Sequence, residues 1–155
     1  MIRYLILAGI VISVLSCKKE EVDQAAIDDQ IIRDYLKTQP DSIQENVIRD
    51  PSGLYYVILK EGTGTHPTPY SYVHVFYKGW LMETGELFED RSDHVTSFNL
   101  SGVIKGWQIG VPKLDKQGKG LFYIPSGLAY GTSGSGSKIP PNSVLIFEIY
   151  LADFE

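Results

Sequence analysis

Three hydrophobic periods succeed one another along this 155-residue chain. Residues 4–15 form an apolar run, with one basic residue, Arg3, before it and Ser16 and Cys17 after it. Across 22–37 the apolar positions are Val22, Ala25, Ala26, Ile27, Ile31, Ile32, Tyr35 and Leu36, a roughly helical spacing. Asp23, Asp28, Asp29, Arg33 and Asp34 fall on the polar side. The acids come mostly early and Lys37 late, which suits the helix dipole. Pro40 stops this helix, and 39–52 reads as a loop of little periodicity. Packing on the remainder of the chain or a spacer role is the expectation for the helix, with pairing to a second copy as the alternative.

From Gly53 the period falls to two. Residues 54–60 are rich in aromatic and β-branched types, and Glu61-Gly62-Thr63-Gly64 turns them. Residues 72–81 alternate: Val73, Val75 and Tyr77 face one side, while Tyr72, His74, Phe76 and Lys78 face the other. Glu83-Thr84-Gly85-Glu86 is a tight connection in which Gly85 supplies a positive φ. Strands are further expected at 86–88, 97–100, 120–124 and 144–151. A single short helical segment follows Ile104, limited by Pro112, which cannot donate to Gln108. Short strands with Gly-bearing turns and one short helix predict an α+β fold. Its curved antiparallel sheet, a half-barrel of five to six strands, wraps around that helix, with the N-terminal helix appended. The Gly/Ser-rich stretch 131–137 reads as a flexible loop.

Charge and chemistry narrow the picture. An apolar run of this length behind one basic residue has the layout of a secretory signal and is too short for a comfortable membrane span. Leu15-Ser16-Cys17 resembles a bacterial lipobox, in which Cys17 becomes the lipidated first residue; an ordinary signal peptide with a chance cysteine is the alternative. The expected organisation is therefore a signal peptide at 1–16, a lipidated tether, helix and linker at 17–52, and the main domain at 53–155. Cys17 is the only cysteine, which excludes an intrachain disulfide and a cysteine-based metal site. The formal net charge is −5, and it becomes more negative once Arg3 is removed with the signal. An acidic chain without a basic stripe argues against nucleic acid as a partner. His66, His74 and His94 have no ligand spacing, so no metal is expected. Gly134-Ser135-Gly136-Ser137-Lys138 lacks the Gly-Lys-Ser/Thr step of a phosphate loop and opens no helix. Ser126 has no identifiable histidine partner, and Pro125-Ser126-Gly127 reads as a turn.

The segment with the most chemical content is Val103-Ile104-Lys105-Gly106-Trp107-Gln108-Ile109-Gly110. Trp107 lies at a helix start between Lys-Gly and Gln, a setting that leaves a tryptophan partly exposed. Upstream stands Val75-Phe76-Tyr77-Lys78-Gly79; downstream stand Leu128-Ala129-Tyr130-Gly131 and Ile139-Pro140-Pro141-Asn142-Ser143, leading into the apolar run 144–151. In this order and spacing the four segments resemble the FKBP-type (immunophilin) peptidyl-prolyl cis-trans isomerases, over about 53–154. The resemblance implies that the Trp107 indole floors a substrate pocket and that Tyr77, Phe88 and Phe147 form its aromatic walls. It places Val103 and Ile104 on the next wall, with the Ile104 N–H as a donor toward substrate. The Tyr130 hydroxyl would reach a substrate carbonyl, and Ile139 would sit on the same rim. Three positions depart from the family pattern. Glu89, followed by Asp90, replaces the usual aspartate after Phe88; either carboxylate could serve. Thr96 stands where a further aromatic wall residue is usual, implying a more open pocket. Lys138 replaces a common apolar rim residue.

These residue types suit prolyl isomerisation. Peptide rotation is slow because conjugation must be broken, at about 18–20 kcal/mol, and proline alone populates both isomers appreciably. Nothing is cut, so no nucleophile, metal or cofactor is needed. A catalyst must bind the twisted amide better than either planar form. The twisted amide has lost charge separation, so a dry aromatic pocket with a few donors favours it. The expected function is thus a prolyl isomerase of a bacterial cell envelope, anchored to the membrane through lipid at Cys17. Proline-containing unfolded or exported polypeptides are the expected clients, and tacrolimus-type macrolides are further candidate ligands. Glu89 and Thr96 motivate the alternative of a low-activity prolyl-binding module or chaperone in an envelope or motility complex.

Overall fold

The structure, a computed structural model, describes residues 23–155. The signal, the tether and Cys17 lie outside the described residues. The first helix, α1 (Gln24–Leu36), starts where the Asp23 side chain accepts from the Ala26 N–H. It buries Asp28, Ile32 and Leu36, one residue per turn along a single stripe. The stretch expected to be a loop forms one helical turn, α2 (Asp41–Gln44), and a two-residue strand, β1 (Ile48–Arg49). Then come β2 (Tyr55–Lys60), β3 (Tyr72–Leu81), β4 (Leu87–Asn99), α3 (Lys105–Gly110), β5 (Lys119–Ile124) and β6 (Leu145–Phe154). Among the described residues no helix is long and apolar enough to cross a membrane.

The six strands form one antiparallel sheet in the order β1-β2-β5-β6-β3-β4, as the sequence pattern implied. The expected separate strands at 86–88 and 97–100 are instead the ends of β4, which is 13 residues long. Its middle, from Glu89 to His94, is polar and lies on a sheet edge, so no alternation betrays it. Charged edge residues of this kind discourage pairing with another chain. Two register shifts against β3, at Val75/Tyr77 and Gly79/Trp80, accommodate the length.

Two cores sandwich the sheet. On one face Val73, Val75, Tyr77, Phe122, Ile124, Phe147 and Ile149 pack with Trp107, Val111 and Leu114 of α3 and its continuation. On the other, Tyr55, Val57, Tyr123 and Ile146 receive Ile32 and Leu36 of α1. Burial of both faces explains why 121–124 and 144–149 are nearly unbroken apolar runs. Gly106 and Gly110, one turn apart, let α3 approach β5 closely. A Cβ on Gly110 would lie 2.7 Å from Phe122 Cδ1, and Gly106 is similarly crowded by Ile124. α3 runs directly into a 3-10 turn, Val111–Lys113, at Pro112.

Candidate active site

Beside α3 lies a cavity of about 380 Å³ lined by Tyr77, Glu89, Phe98, Val103, Ile104, Trp107, Tyr130 and Phe147. The chain leads into it through a 3-10 turn, Leu100–Gly102, capped by Asn99, whose Oδ1 accepts from the Ser101 N–H at 3.0 Å. Ile104 then caps α3 with its carbonyl, accepting from the N–H groups of Trp107 (3.0 Å) and Gln108 (3.2 Å). The Gln108 side chain donates back to the Val103 carbonyl at 2.7 Å, which fixes this wall. The Ile104 N–H itself donates to no other described group, so it is free for a ligand.

Trp107 is only 4% exposed, against the expectation of partial exposure. Its burial comes from three rings that meet the indole edge-on. Tyr77 stands at 5.0 Å and 89°, Phe147 at 5.3 Å and 88°, and Phe98 at 5.5 Å and 81°. Edge-to-face pairs are each worth about 0.5–1.5 kcal/mol beyond their burial, so the box is stiff before any ligand arrives. The Trp107 Nε1–H is buried and has no partner among the described residues.

Phe98 was missed in the sequence. The expectation of a pocket opened by Thr96 is corrected: Thr96 sits opposite Val75, and the ring two residues later on β4 supplies the wall. An aromatic at the end of a strand leading into the Trp107 segment was the available signal. Phe88 and Ile139, in contrast, do not line this cavity. The Phe88 ring crosses Gly79 and packs edge-on behind Phe147 at 5.6 Å. Ile139 is pinned in a hairpin by reciprocal bonds with Ser135, of 2.8 and 3.1 Å. Both residues line an adjoining, more polar cleft of about 610 Å³, which shares Glu89 and Tyr130 with the aromatic cavity. The 131–137 stretch is therefore a defined 3-10 turn and hairpin, and Gly131, Gly134 and Gly136 all take positive φ. Lys138 donates to the Phe88 carbonyl at 3.1 Å and ties this rim to β4.

The two carboxylates after Phe88 separate cleanly. Asp90 accepts from the Ser92 N–H (2.9 Å) and Oγ (2.6 Å), and pairs with Lys78 at 3.1 Å. These bonds hold its carboxyl down at about 2, and Asp90 does not line the aromatic cavity. Glu89 does line it, with Arg91 Nε donating to its Oε1 at 3.2 Å. Burial, and then the charge of Glu89, push the Tyr77 phenol up to about 12. The same two causes, in the same order, raise Tyr130. Both phenols therefore keep their protons at neutral pH and remain donors.

A six-stranded antiparallel sheet over a short helix, with a tryptophan at the foot of an aromatic box, defines an immunophilin-like architecture. Residues 63–152 match the family described as FKBP-type peptidyl-prolyl cis-trans isomerase, and the chain belongs to that family. It is 41% identical to a probable FKBP-type isomerase FkpA of Neisseria meningitidis, over 70% of this chain and 42% of that protein. It is 39% identical to an FK506-binding protein of the same species, over 64% of this chain and 94% of that one. Among solved structures, FkpA from Escherichia coli superposes with a TM-score of 0.71 at 34% identity, covering 84% of this chain and 61% of that chain. A peptidyl-prolyl cis-trans isomerase from Pseudomonas syringae superposes with a TM-score of 0.70 at 30% identity, covering 84% and 96%. The chain spans about half the length, or less, of the FkpA relatives it matches.

Proposed function

We propose that this chain is a peptidyl-prolyl cis-trans isomerase whose reaction takes place in the Trp107 cavity. The observation that carries the reading is the indole fenced by Tyr77, Phe98 and Phe147, with an unengaged Ile104 N–H at its edge. A proline ring seated on the indole would leave the preceding carbonyl near that N–H and the next peptide near the Tyr130 hydroxyl. As the amide twists, conjugation and charge separation are lost, and a low-dielectric aromatic surround favours the twisted form over either planar one. Ile104 and Tyr130 hold the flanking peptides, so rotation is confined to the prolyl bond. Burial, and secondarily the charge of Glu89, raise both phenols, which stay protonated as donors.

The departures that motivated a slow binding module lose their force, because Phe98 supplies a wall ring and Glu89 lies in the cavity. The envelope location, the lipid on Cys17, exported or unfolded proline-containing clients, and affinity for tacrolimus-type macrolides belong to the same proposal. The test is cis-to-trans relaxation of a short Leu-Pro peptide after a solvent jump, with the full chain in detergent and with Trp107→Ala, whose fold is checked by circular dichroism. Acceleration that is lost in the variant is expected. A folded wild-type protein that leaves the relaxation rate unchanged would overturn the proposal.

A further inference from the structure

α1 lies outside the residues that match the family, on the sheet face opposite α3. Its contact with the rest of the chain is not only apolar. Asp28 is 1% exposed, the single acidic or basic side chain buried to that degree among the described residues. Its Oδ2 accepts from the Ser126 N–H at 2.7 Å and from the Ser126 hydroxyl at 2.6 Å, while Oδ1 accepts from Gln24 Nε2 at 2.8 Å. Ser126 is also 1% exposed, and 98 residues separate it from its acceptor. A buried acceptor holding two short bonds to one residue fixes both the backbone and the side chain of that residue.

Ser126 opens the 3-10 turn Ser126–Leu128, closed by the Leu128 N–H on Pro125 O (2.9 Å) and the Ala129 N–H on Ser126 O (3.0 Å). Tyr130 follows after Ala129, and on its far side the Gly131 carbonyl accepts from the Asn142 N–H at 2.8 Å. The pocket tyrosine therefore stands on a short bridge with two anchors. One is internal to the loop region, and the other is supplied by α1.

We propose that Asp28 is a positioning residue for Tyr130: through Ser126, the N-terminal helix sets where the Tyr130 hydroxyl meets the substrate. The helix thereby serves the opposite face of the sheet, in addition to covering its own. This rests on the isomerase reading of the Trp107 cavity.

The experiment is a double-mutant cycle on the full chain in detergent, reading kcat/KM for a Leu-Pro peptide, with thermal unfolding recorded for every variant. Asp28→Ala is expected to lower kcat/KM about three- to tenfold, the scale of one well-placed hydrogen bond. In a Tyr130→Phe background the same substitution is expected to cost less than about twofold, because the donor it positions is gone. Asp28→Asn keeps a carbonyl acceptor toward Ser126 and is expected to restore most of the loss. Met82→Ala, on the helix-facing core, lowers stability without touching the bridge and is expected to leave kcat/KM of the folded protein unchanged. If the losses from Asp28→Ala and Tyr130→Phe multiply in the double variant, the inference is overturned. A folded Asp28→Ala with unchanged kcat/KM overturns it equally. Should Asp28→Ala fail to fold, Ser126→Ala removes one of the two bonds and the cycle runs on it. If wild type does not accelerate the peptide at all, the isomerase reading fails separately, and the cycle is then read on peptide Kd with the same two outcomes.

Discussion

Gly79→Ala offers a test in which the sign of the effect decides. Gly79 takes no positive φ, so an alanine would meet no backbone penalty there. In an uncrowded strand the exchange would stabilise the protein by about 0.5–1 kcal/mol. At this position, however, a Cβ would lie 2.5 and 2.7 Å from Phe88 Cζ and Cε2, and 2.9 Å from Phe147 Cε1. Ordinary carbon contacts are about 3.5–4.0 Å, so each ring would have to move by nearly an ångström. The strand cannot step aside, because Gly79 is paired with Glu89 on one side and Phe147 on the other. Nor can the Phe147 ring move freely, since it bears on Trp107 at 5.3 Å and on Phe88 at 5.6 Å. Overpacking of this kind costs about 1–3 kcal/mol, which leaves a net loss centred on about 1 kcal/mol, and at most about 2.5 kcal/mol, once the strand preference is offset. For a chain of this size that lowers Tm by roughly 2–8 °C, with a loss of peptide affinity as Phe147 tilts against the indole. Thermal unfolding by circular dichroism and peptide titration read both effects. In the Gly79→Ala background, Phe88→Leu should cost less than it does in wild type, since it removes the clashing atoms. A Gly79→Ala protein as stable as wild type, or more so, would show that the rings do not crowd this strand.

Phe98→Ala removes two edge-to-face pairs, with Trp107 and Tyr77, and should cost about 1–3 kcal/mol from those pairs while weakening prolyl-peptide binding; unchanged affinity by calorimetry would take Phe98 out of the pocket wall. Alkaline stability should be lost late. Tyr77 and Tyr123 keep their protons to about 12 in the folded protein, chiefly through burial, whereas an unfolded chain releases them near about 10. The folded state thus holds the extra protons between these values, so their contribution is whole below about pH 10 and falls away as pH rises toward 12. Tyr123→Phe should flatten that limb of the Tm-against-pH curve, and an unchanged limb would contradict the assignment. Cys17→Ser should move the protein from detergent-requiring to soluble fractions; continued partitioning with detergent would exclude lipid at Cys17 as the anchor.

How much of this was legible in the sequence depended on whether a residue declared itself through its neighbours. Period-two alternation located β3, and the runs around Phe122 and Phe147 located β5 and β6, because burial on one or both faces leaves a compositional trace. The polar middle of β4 left none, since an edge strand need bury neither face. Tyr77, Glu89, Val103, Ile104, Trp107, Tyr130 and Phe147 come together around one cavity. Phe88 and Ile139 were displaced to its neighbour by ring packing over Gly79 and by a hairpin closed at Ser135. Trp107 looked exposed because its immediate neighbours are polar or small, and its burial is made by rings distant in sequence. The Asp28–Ser126 contact spans 98 residues and has no local signature, so Asp28 read as one more acid on the polar side of a helix.

The central claim is that a single site, floored by Trp107, both receives the proline and turns it over. The chain has two tryptophans, and the second, Trp80, packs toward the α1 side of the sheet. Indole 1H–15N resonances and peptide cis–trans exchange cross-peaks can therefore be recorded in one NMR sample of the 15N-labelled protein with excess unlabelled Leu-Pro peptide. The account predicts that the Trp107 indole signal shifts with peptide, that of Trp80 stays fixed, and exchange cross-peaks absent without protein appear in proportion to protein concentration. Exchange without movement of the Trp107 signal would place catalysis elsewhere; movement without exchange would leave a binding pocket that does not catalyse.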